Sequence, residues 1–306
     1  MKTVLILTDG KAGHENQSKA FARSLGCSFE LRQVRFRSRL HKALSYALDR
    51  IGVLSTRLFR VDGEIAKGRF AAVIGTGSGT FYAVKTVARA IGASSAAILY
   101  PRGYSISGFD CVMAPSFDNP RRAGNVVEVP ANLVAGDEAF YEEGVKRFSA
   151  LHVQKRDAVA VIVGGPNRSS SMDAGWMRRE LEKVFSENPG AEFWVTTSRR
   201  TPAEVERVVE SFPFDYRLIY SKDHFNPIPA FVKLAVKLYV TAESTGMLSE
   251  ACTFGSAEVQ ALDNLKPGGH KFRRFLEQLR REGYVGGRRK VDLASRFGRA
   301  KELLGV

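Results

Sequence analysis

Two stretches of this sequence place reactive groups where a strand gives way to a helix. Asp9-Gly10-Lys11-Ala12-Gly13-His14-Glu15-Asn16-Gln17 follows the apolar run Lys2 to Leu7. It reads as a polar loop with a carboxylate, an ammonium, an imidazole and two amides beside two glycines. The imidazole of His14 suits a general base for an acceptor hydroxyl. Asp9 and Glu15 compete for that role or orient it, with Lys11, Gly13, Asn16 and Gln17 on the acceptor side. The plainer alternative is that Asp9 and Asn16 only cap the loop and helix. In the second half, Ser244-Thr245-Gly246-Met247-Leu248-Ser249-Glu250-Ala251 opens a helix after a strand. Free N–H groups and the positive end of the helix dipole make such a start a phosphate seat. Glu250 would accept hydrogen bonds from ribose hydroxyls, or simply complement the dipole of a well-capped helix.

Thr197-Ser198-Arg199-Arg200-Thr201-Pro202 is a second strand-to-helix junction. Adjacent arginines there oppose the helix dipole, so a structural role is less natural, and their forked donors suit phosphate or carboxylate oxygens; the alternative is that both are simply solvated. Thr201-Pro202-Ala203-Glu204 reads as an N-cap, a proline at the first helical position and a capping-box glutamate. Gly164-Gly165-Pro166 permits close backbone approach, as a plain tight turn would too. Gly75-Thr76-Gly77-Ser78 in the first half is similar, but lacks the Gly-Lys-Ser/Thr ending of a P-loop and is not a full dinucleotide fingerprint.

The elements that must position these groups alternate strand and helix across the chain. Continuous apolar strands such as Phe70 to Ile74 and Ala158 to Val163, spaced by helices, predict parallel sheets covered on both faces. The fold class is therefore α/β, with two Rossmann-like domains facing a cleft at the carboxyl ends of their strands. The polar stretch Leu151 to Asp157 reads as the linker. It gives a domain over 1–152, a second over 153–285, and a C-terminal helical tail over 286–306.

The net charge of +14 predicts attraction to polyanions. Arg32, Arg35, Arg37, Arg39, Lys42, Arg50, Arg57 and Arg60, interleaved with leucines, read as a basic amphipathic helix pair suited to anionic lipid. A helix pair that buries its apolar face and solvates its basic one is the alternative. Few aromatics accompany these arginines, which disfavours single-stranded nucleic acid, and no specific nucleic-acid partner is expected. Three scattered cysteines fit a reduced compartment without a zinc site. The opening apolar run is too short for a signal peptide, and no stretch is long enough to span a membrane. A cytoplasmic protein, peripheral on the inner membrane face, is the expectation.

Taken together and in order, the Asp9 to Gln17 motif, Gly-Gly-Pro after Val163, Thr197 to Pro202 and Thr241 to Ala251 resemble the bacterial and plant family named for mitochondrial fission and elongated mitochondria. The match spans nearly the whole chain. Glu243 departs from the aspartate expected before the serine, keeping the charge on a longer arm. The last motif also resembles glycosyltransferases of the B architecture (GT-B), such as the peptidoglycan N-acetylglucosaminyltransferase. That resemblance implies that Ser244, Thr245, Met247, Ser249 and Glu250 line a nucleotide-sugar donor site and that His14 faces the reacting carbon. It also implies that the chain beyond Tyr284 packs back on the first domain. Gly164, Gly165, Pro166, Ser198, Arg199 and Arg200 would join the donor side, and Gly75, Thr76, Gly77 and Ser78 the acceptor side.

The function so implied is transfer of a sugar from a nucleotide-sugar donor to a lipid-linked or envelope glycan, with no cofactor and no metal. A nucleotide-sugar epimerase of the same fold and a non-catalytic membrane-associated adaptor are the alternatives.

Overall fold

The computed structural model describes every residue except Ala135, Asp137 and Gly269. Along the chain run β1 (Thr3–Thr8), α1 (Ala12–Ser24), β2 (Ser28–Phe36), α2 (Arg39–Arg50), β3 (Phe59–Val61), β4 (Ala72–Thr76) and α3 (Phe81–Ile91). Then come β5 (Ser94–Ile98), β6 (Cys111–Pro115), β7 (Val126–Val129), α4 (Glu138–Ser149), β8 (Ala158–Ile162) and α5 (Ala174–Glu187). The rest is β9 (Glu192–Thr196), α6 (Ala203–Glu210), β10 (Tyr216–Leu218), α7 (Ile228–Leu234) and β11 (Lys237–Thr241). After it follow α8 (Thr245–Thr253), β12 (Glu258–Leu262), α9 (Lys271–Arg281) and α10 (Ala294–Leu304).

These elements form two compact units, Met1–Ala135 with Asp292–Val306, and Gly136–Val291. In the first, the strand order is β3-β2-β1-β4-β5-β6-β7, parallel except for the antiparallel edge pair β2 and β3. Alternation along β1 sends Leu5 and Leu7 into a cluster with Val73, Phe81 and Val84 of α3's side. Val4 and Ile6 point the other way and are fully buried, as is Phe21 of α1. Phe297 of α10 lies 6.3 Å from the Phe21 ring, so the last helix belongs to this unit.

The second unit has the order β10-β9-β8-β11-β12, all parallel. Val159, Val161 and Val195 pack on α5 and α6 through Met177, Leu181, Val205 and Val209. An aromatic cluster covers the other face, with Phe148 of α4 at 4.9 Å from Trp194 and 5.7 Å from Phe231 of α7.

Two expectations are corrected here. The junction placed at 152/153 lies instead at 135/136, because α4 packs into the second unit. A Cβ at Gly144 would sit 2.5 Å from Pro229 of α7. Residues 151–157 are no free linker: Glu192 on β9 accepts from Lys155 N (2.6 Å) and Arg156 N (3.1 Å) and meets His152 at 2.5 Å. Burial works to raise the Glu192 carboxyl, but the His152 contact and these donors outweigh it and hold it down at about 2. The tail, placed at 286, enters the first unit only from Asp292.

The second correction concerns the basic segment. It forms one helix, α2, not a pair: Ile51 to Val61 is a loop, a short turn and strand β3, while Arg32 and Arg35 lie on β2. Gly52, at φ +72°, ends the helix where an amphipathic pattern alone would have continued it.

Candidate active site

In a sheet whose strand order reverses, the crevice lies at the carboxyl ends of the strands flanking the switch. In the first unit those strands are β1 and β4. The loop after β1 is shorter than the sequence suggested, since α1 starts at Ala12, and Gly13 to Gln17 stand in its first turns. His14 Nδ1 lies 3.1 Å from Asp9 Oδ1 and 3.2 Å from Oδ2. Lys11 Nζ donates to Asp9 Oδ2 at 2.9 Å. With a carboxylate on Nδ1, neutral imidazole carries its proton there and keeps a lone pair on Nε2. Burial works to raise the Asp9 carboxyl, but Lys11 and His14 outweigh it and hold it below the ordinary range, so it stays ionised.

The loop after β4 explains why this pair holds its place. A Cβ on Gly77, which sits at φ +81°, would lie 2.4 Å from the His14 ring. One on Gly79 would lie 2.8 Å from Asp9. The glycines of Gly77-Ser78-Gly79 are there to let His14 and Asp9 approach. Ser78 in turn takes a hydrogen bond from Lys42 Nζ at 3.2 Å.

Several expected members fall outside this arrangement. Glu15 is spent on Lys19 at 2.6 Å, leaving Asp9 as the orienter of His14. Gly75 and Thr76 belong to β4. A Cβ on Gly75 would strike Thr80 and Val84, and the Thr76 hydroxyl shares a hydrogen bond with Ser18 at 2.7 Å. Neither can touch an acceptor. Gly13 and Asn16 are exposed, and Gln17 holds a buried Oε1 with no hydrogen-bond partner among the described residues.

In the second unit the switch lies between β8 and β11, and three loops interlock at its carboxyl edge. Gly164 N donates to Thr241 Oγ1 at 2.8 Å, and a Cβ there would meet Glu243 Oε1 at 2.1 Å. A Cβ on Gly165 would lie 2.2 Å from the Arg200 carbonyl oxygen. Thr201 Oγ1 donates to Gly164 O at 2.6 Å and accepts from Ser198 N at 2.8 Å. Thr201 is therefore a latch between loops rather than the expected N-cap; Pro202 occupies that position. Arg199 and Arg200 stay exposed beside it.

No side chain caps α8 at Ser244, so the N–H groups of its first turn, around Thr245, Gly246 and Met247, remain open. Ser249 is fully buried and donates to Thr245 O at 2.6 Å, which removes it from the lining. Sequence reasoning missed Tyr141, whose hydroxyl donates to Glu250 Oε1 at 3.0 Å. It also left Glu243 without a role. Burial raises the Glu243 carboxyl, with Asn264 and Thr241 working against it, and its Oε2 has no hydrogen-bond partner among the described residues.

Burial pushes Glu250 up to about 7. The folded carboxyl thus holds its proton up to a higher pH than the unfolded one, near 4.5. Its contribution to stability is present below that value and is lost as pH rises through about 7. Glu250→Gln is expected to remove this loss, at most about 3 kcal/mol. Urea unfolding at about pH 4 and about pH 8, on both sides of the window, checks it.

The sequence pattern described as Mitochondrial fission ELM1 matches residues 12–292. The chain belongs to that family. An uncharacterized protein of Rickettsia prowazekii is 31% identical over 148 residues, 44% of this chain and 41% of that protein. The chain therefore spans about two fifths of the curated relative it matches. Two solved structures resemble this ELM1-family chain. One is UDP-GlcNAc 2-epimerase from Methanocaldococcus jannaschii, with TM-score 0.56 and 13% identity over 100% of this chain and 99% of that one. The other is UDP-GlcNAc 2-epimerase from Neisseria meningitidis bound to UDP-GlcNAc, with TM-score 0.57 and 12% identity over 99% of each. The family member has their fold, two Rossmann-like units of the GT-B class. Among the described residues no helix is long and apolar enough to cross a membrane, and no three His, Cys, Asp or Glu side chains gather as a metal site.

Proposed function

We propose that this protein transfers a sugar from a nucleotide-sugar donor to a hydroxyl of a lipid-linked or envelope glycan, working at the cytoplasmic face of a membrane. The observation that carries the reading is the Asp9–His14 pair at 3.1 Å, pinned by two glycines at the β1/β4 switch. His14 Nε2 takes the proton of the acceptor hydroxyl while that oxygen bonds to the anomeric carbon. The bond from that carbon to the diphosphate breaks, and the diphosphate leaves with the electron pair. Asp9 steadies the imidazolium that forms. The second unit supplies the donor seat: the open N-terminus of α8 and Arg199 and Arg200 meet the diphosphate charge, and Glu250 takes the ribose hydroxyls. No metal or cofactor has a part in this scheme.

Incubation with a panel of nucleotide sugars and lipid-linked glycan acceptors, read by mass spectrometry, tests the proposal. The expected result is one acceptor gaining the mass of one sugar as nucleoside diphosphate is released. Absence of any transfer across the panel overturns it. The likeness to two UDP-GlcNAc 2-epimerases over almost the full length of each favours a second reading, epimerisation of a nucleotide sugar. That reading predicts a changed configuration at the sugar C2 without an acceptor. If no nucleotide sugar raises the melting midpoint, both enzyme readings fail and the adaptor reading stands.

A further inference from the structure

Helix α2 packs Tyr46 and Leu48 on the core but leaves a second apolar stripe outside. Its fully buried residues are the polar Ser45 and Asp49. Leu40, Ala43, Leu44 and Ala47, at helical spacing on the opposite side, are exposed, and Ile51 and Val53 continue the stripe past the helix end. Leu40 is 81% exposed and Ile51 72%, while Leu44 and Val53 are nearly half exposed. An ordinary amphipathic helix turns such a stripe inward. Here the polar side is fixed to the protein and cannot roll over. Asp49 accepts from Lys85 Nζ at 2.7 Å and from Ser105 N at 2.6 Å. Ser45 Oγ shares a hydrogen bond with Tyr104 OH at 2.9 Å, and Tyr46 stacks on the Tyr104 ring at 4.2 Å.

The charges around the stripe indicate what covers it. Residues 31–61 hold eight lysines and arginines and one acid, the buried Asp49. Arg32 and Arg35, on β2, are engaged by Glu30 and Gln33. Arg37, Arg39, Arg50 and Arg57 are exposed and make no ion pair among the described residues. Leucines at acyl depth with guanidinium groups at phosphate height fit an anionic bilayer surface.

We propose that α2 is an in-plane bilayer anchor. Leu40, Leu44, Ile51 and Val53 enter the boundary between headgroups and acyl chains of an anionic membrane, and Arg37, Arg39, Arg50 and Arg57 bind its phosphates. The anchor deepens the reading of a lipid-linked acceptor and rests on it for its purpose. Lys42, on the fixed side of α2, bonds Ser78 in the loop that holds His14 and Asp9. Docking thereby sets the proposed base at a fixed height over the membrane.

Flotation of the full chain with vesicles tests the anchor without any sugar donor. The vesicles are phosphatidylcholine alone or phosphatidylcholine mixed with phosphatidylglycerol. The wild-type protein is expected to float with the mixed vesicles. Leu40→Ser/Leu44→Ser/Ile51→Ser and Arg37→Gln/Arg39→Gln/Arg50→Gln are each expected to weaken binding by about tenfold or more. Their melting midpoints should match the wild type, since every altered side chain is exposed. Failure of the wild type to bind mixed vesicles overturns the proposal in favour of a protein partner with an acid-rimmed apolar groove. Undiminished binding by the leucine variant overturns it in favour of charge alone. Loss of sugar transfer with flotation intact sinks the enzyme reading and leaves the anchor.

Discussion

Replacing His14 by alanine is expected to lower sugar transfer by roughly 10²–10⁴-fold, the usual contribution of a positioned general base. Donor binding should change little, because the proposed diphosphate contacts are Arg199, Arg200 and the α8 N-terminus rather than His14. The fall should therefore appear in kcat rather than KM. Asp9→Asn makes a sharper test of the geometry. The amide keeps the shape but offers Nδ1 either a donor or an acceptor, so the tautomer with its lone pair on Nε2 is no longer enforced. Transfer by Asp9→Asn should fall as well, with an unchanged melting midpoint. A His14→Ala variant that transfers sugar at the wild-type rate removes His14 as the base.

The largest stability effect is expected at Lys85. Its side chain is 3% exposed, and its ammonium donates to Asp49 and to Ser105 O at 2.6 Å. Its Nζ also lies 4.6 Å from the Phe109 ring centroid. Burial lowers the Lys85 pKa and the Asp49 partner works against that. Taking both charges out of water roughly cancels their attraction, so the intact pair adds little net stability. Removing one partner is different, because it strands the other in the interior. Lys85→Met should cost about 3–5 kcal/mol, a large part of the roughly 5–15 kcal/mol that holds a domain folded. Urea unfolding followed by circular dichroism measures it. Lys85→Met paired with Asp49→Leu should recover much of the loss, whereas a cost below about 1 kcal/mol for Lys85→Met alone would mean the pair is solvated.

The parallel sheets and the motifs at strand ends were legible because buried parallel strands read as continuous apolar runs. β8 ends one residue short of the expected Ala158 to Val163. The unit boundary was not legible. Leu151 to Asp157 looks like a linker by composition, and nothing local reveals that Glu192, far along the chain, collects its backbone N–H groups. The proposed site was half legible. His14 and Asp9 stand out by residue type, but the reason for Gly77 and Gly79 exists only where β4 lies beside β1. Thr201 reads as a cap because capping is a local rule, while its hydroxyl follows a longer-range demand from Gly164. α2 misled most: its period is that of an amphipathic helix, and a sequence cannot say which side is inward when the polar side carries the buried ion pair.

Titration calorimetry of the full chain with a panel of nucleotide sugars tests the donor seat most directly. One donor should bind saturably, and Arg199→Ala/Arg200→Ala should weaken it by about tenfold or more, the usual worth of charge-assisted bonds to phosphate. No saturable heat with any donor, or equal affinity after both arginines are removed, would contradict a nucleotide-diphosphate site at these loops.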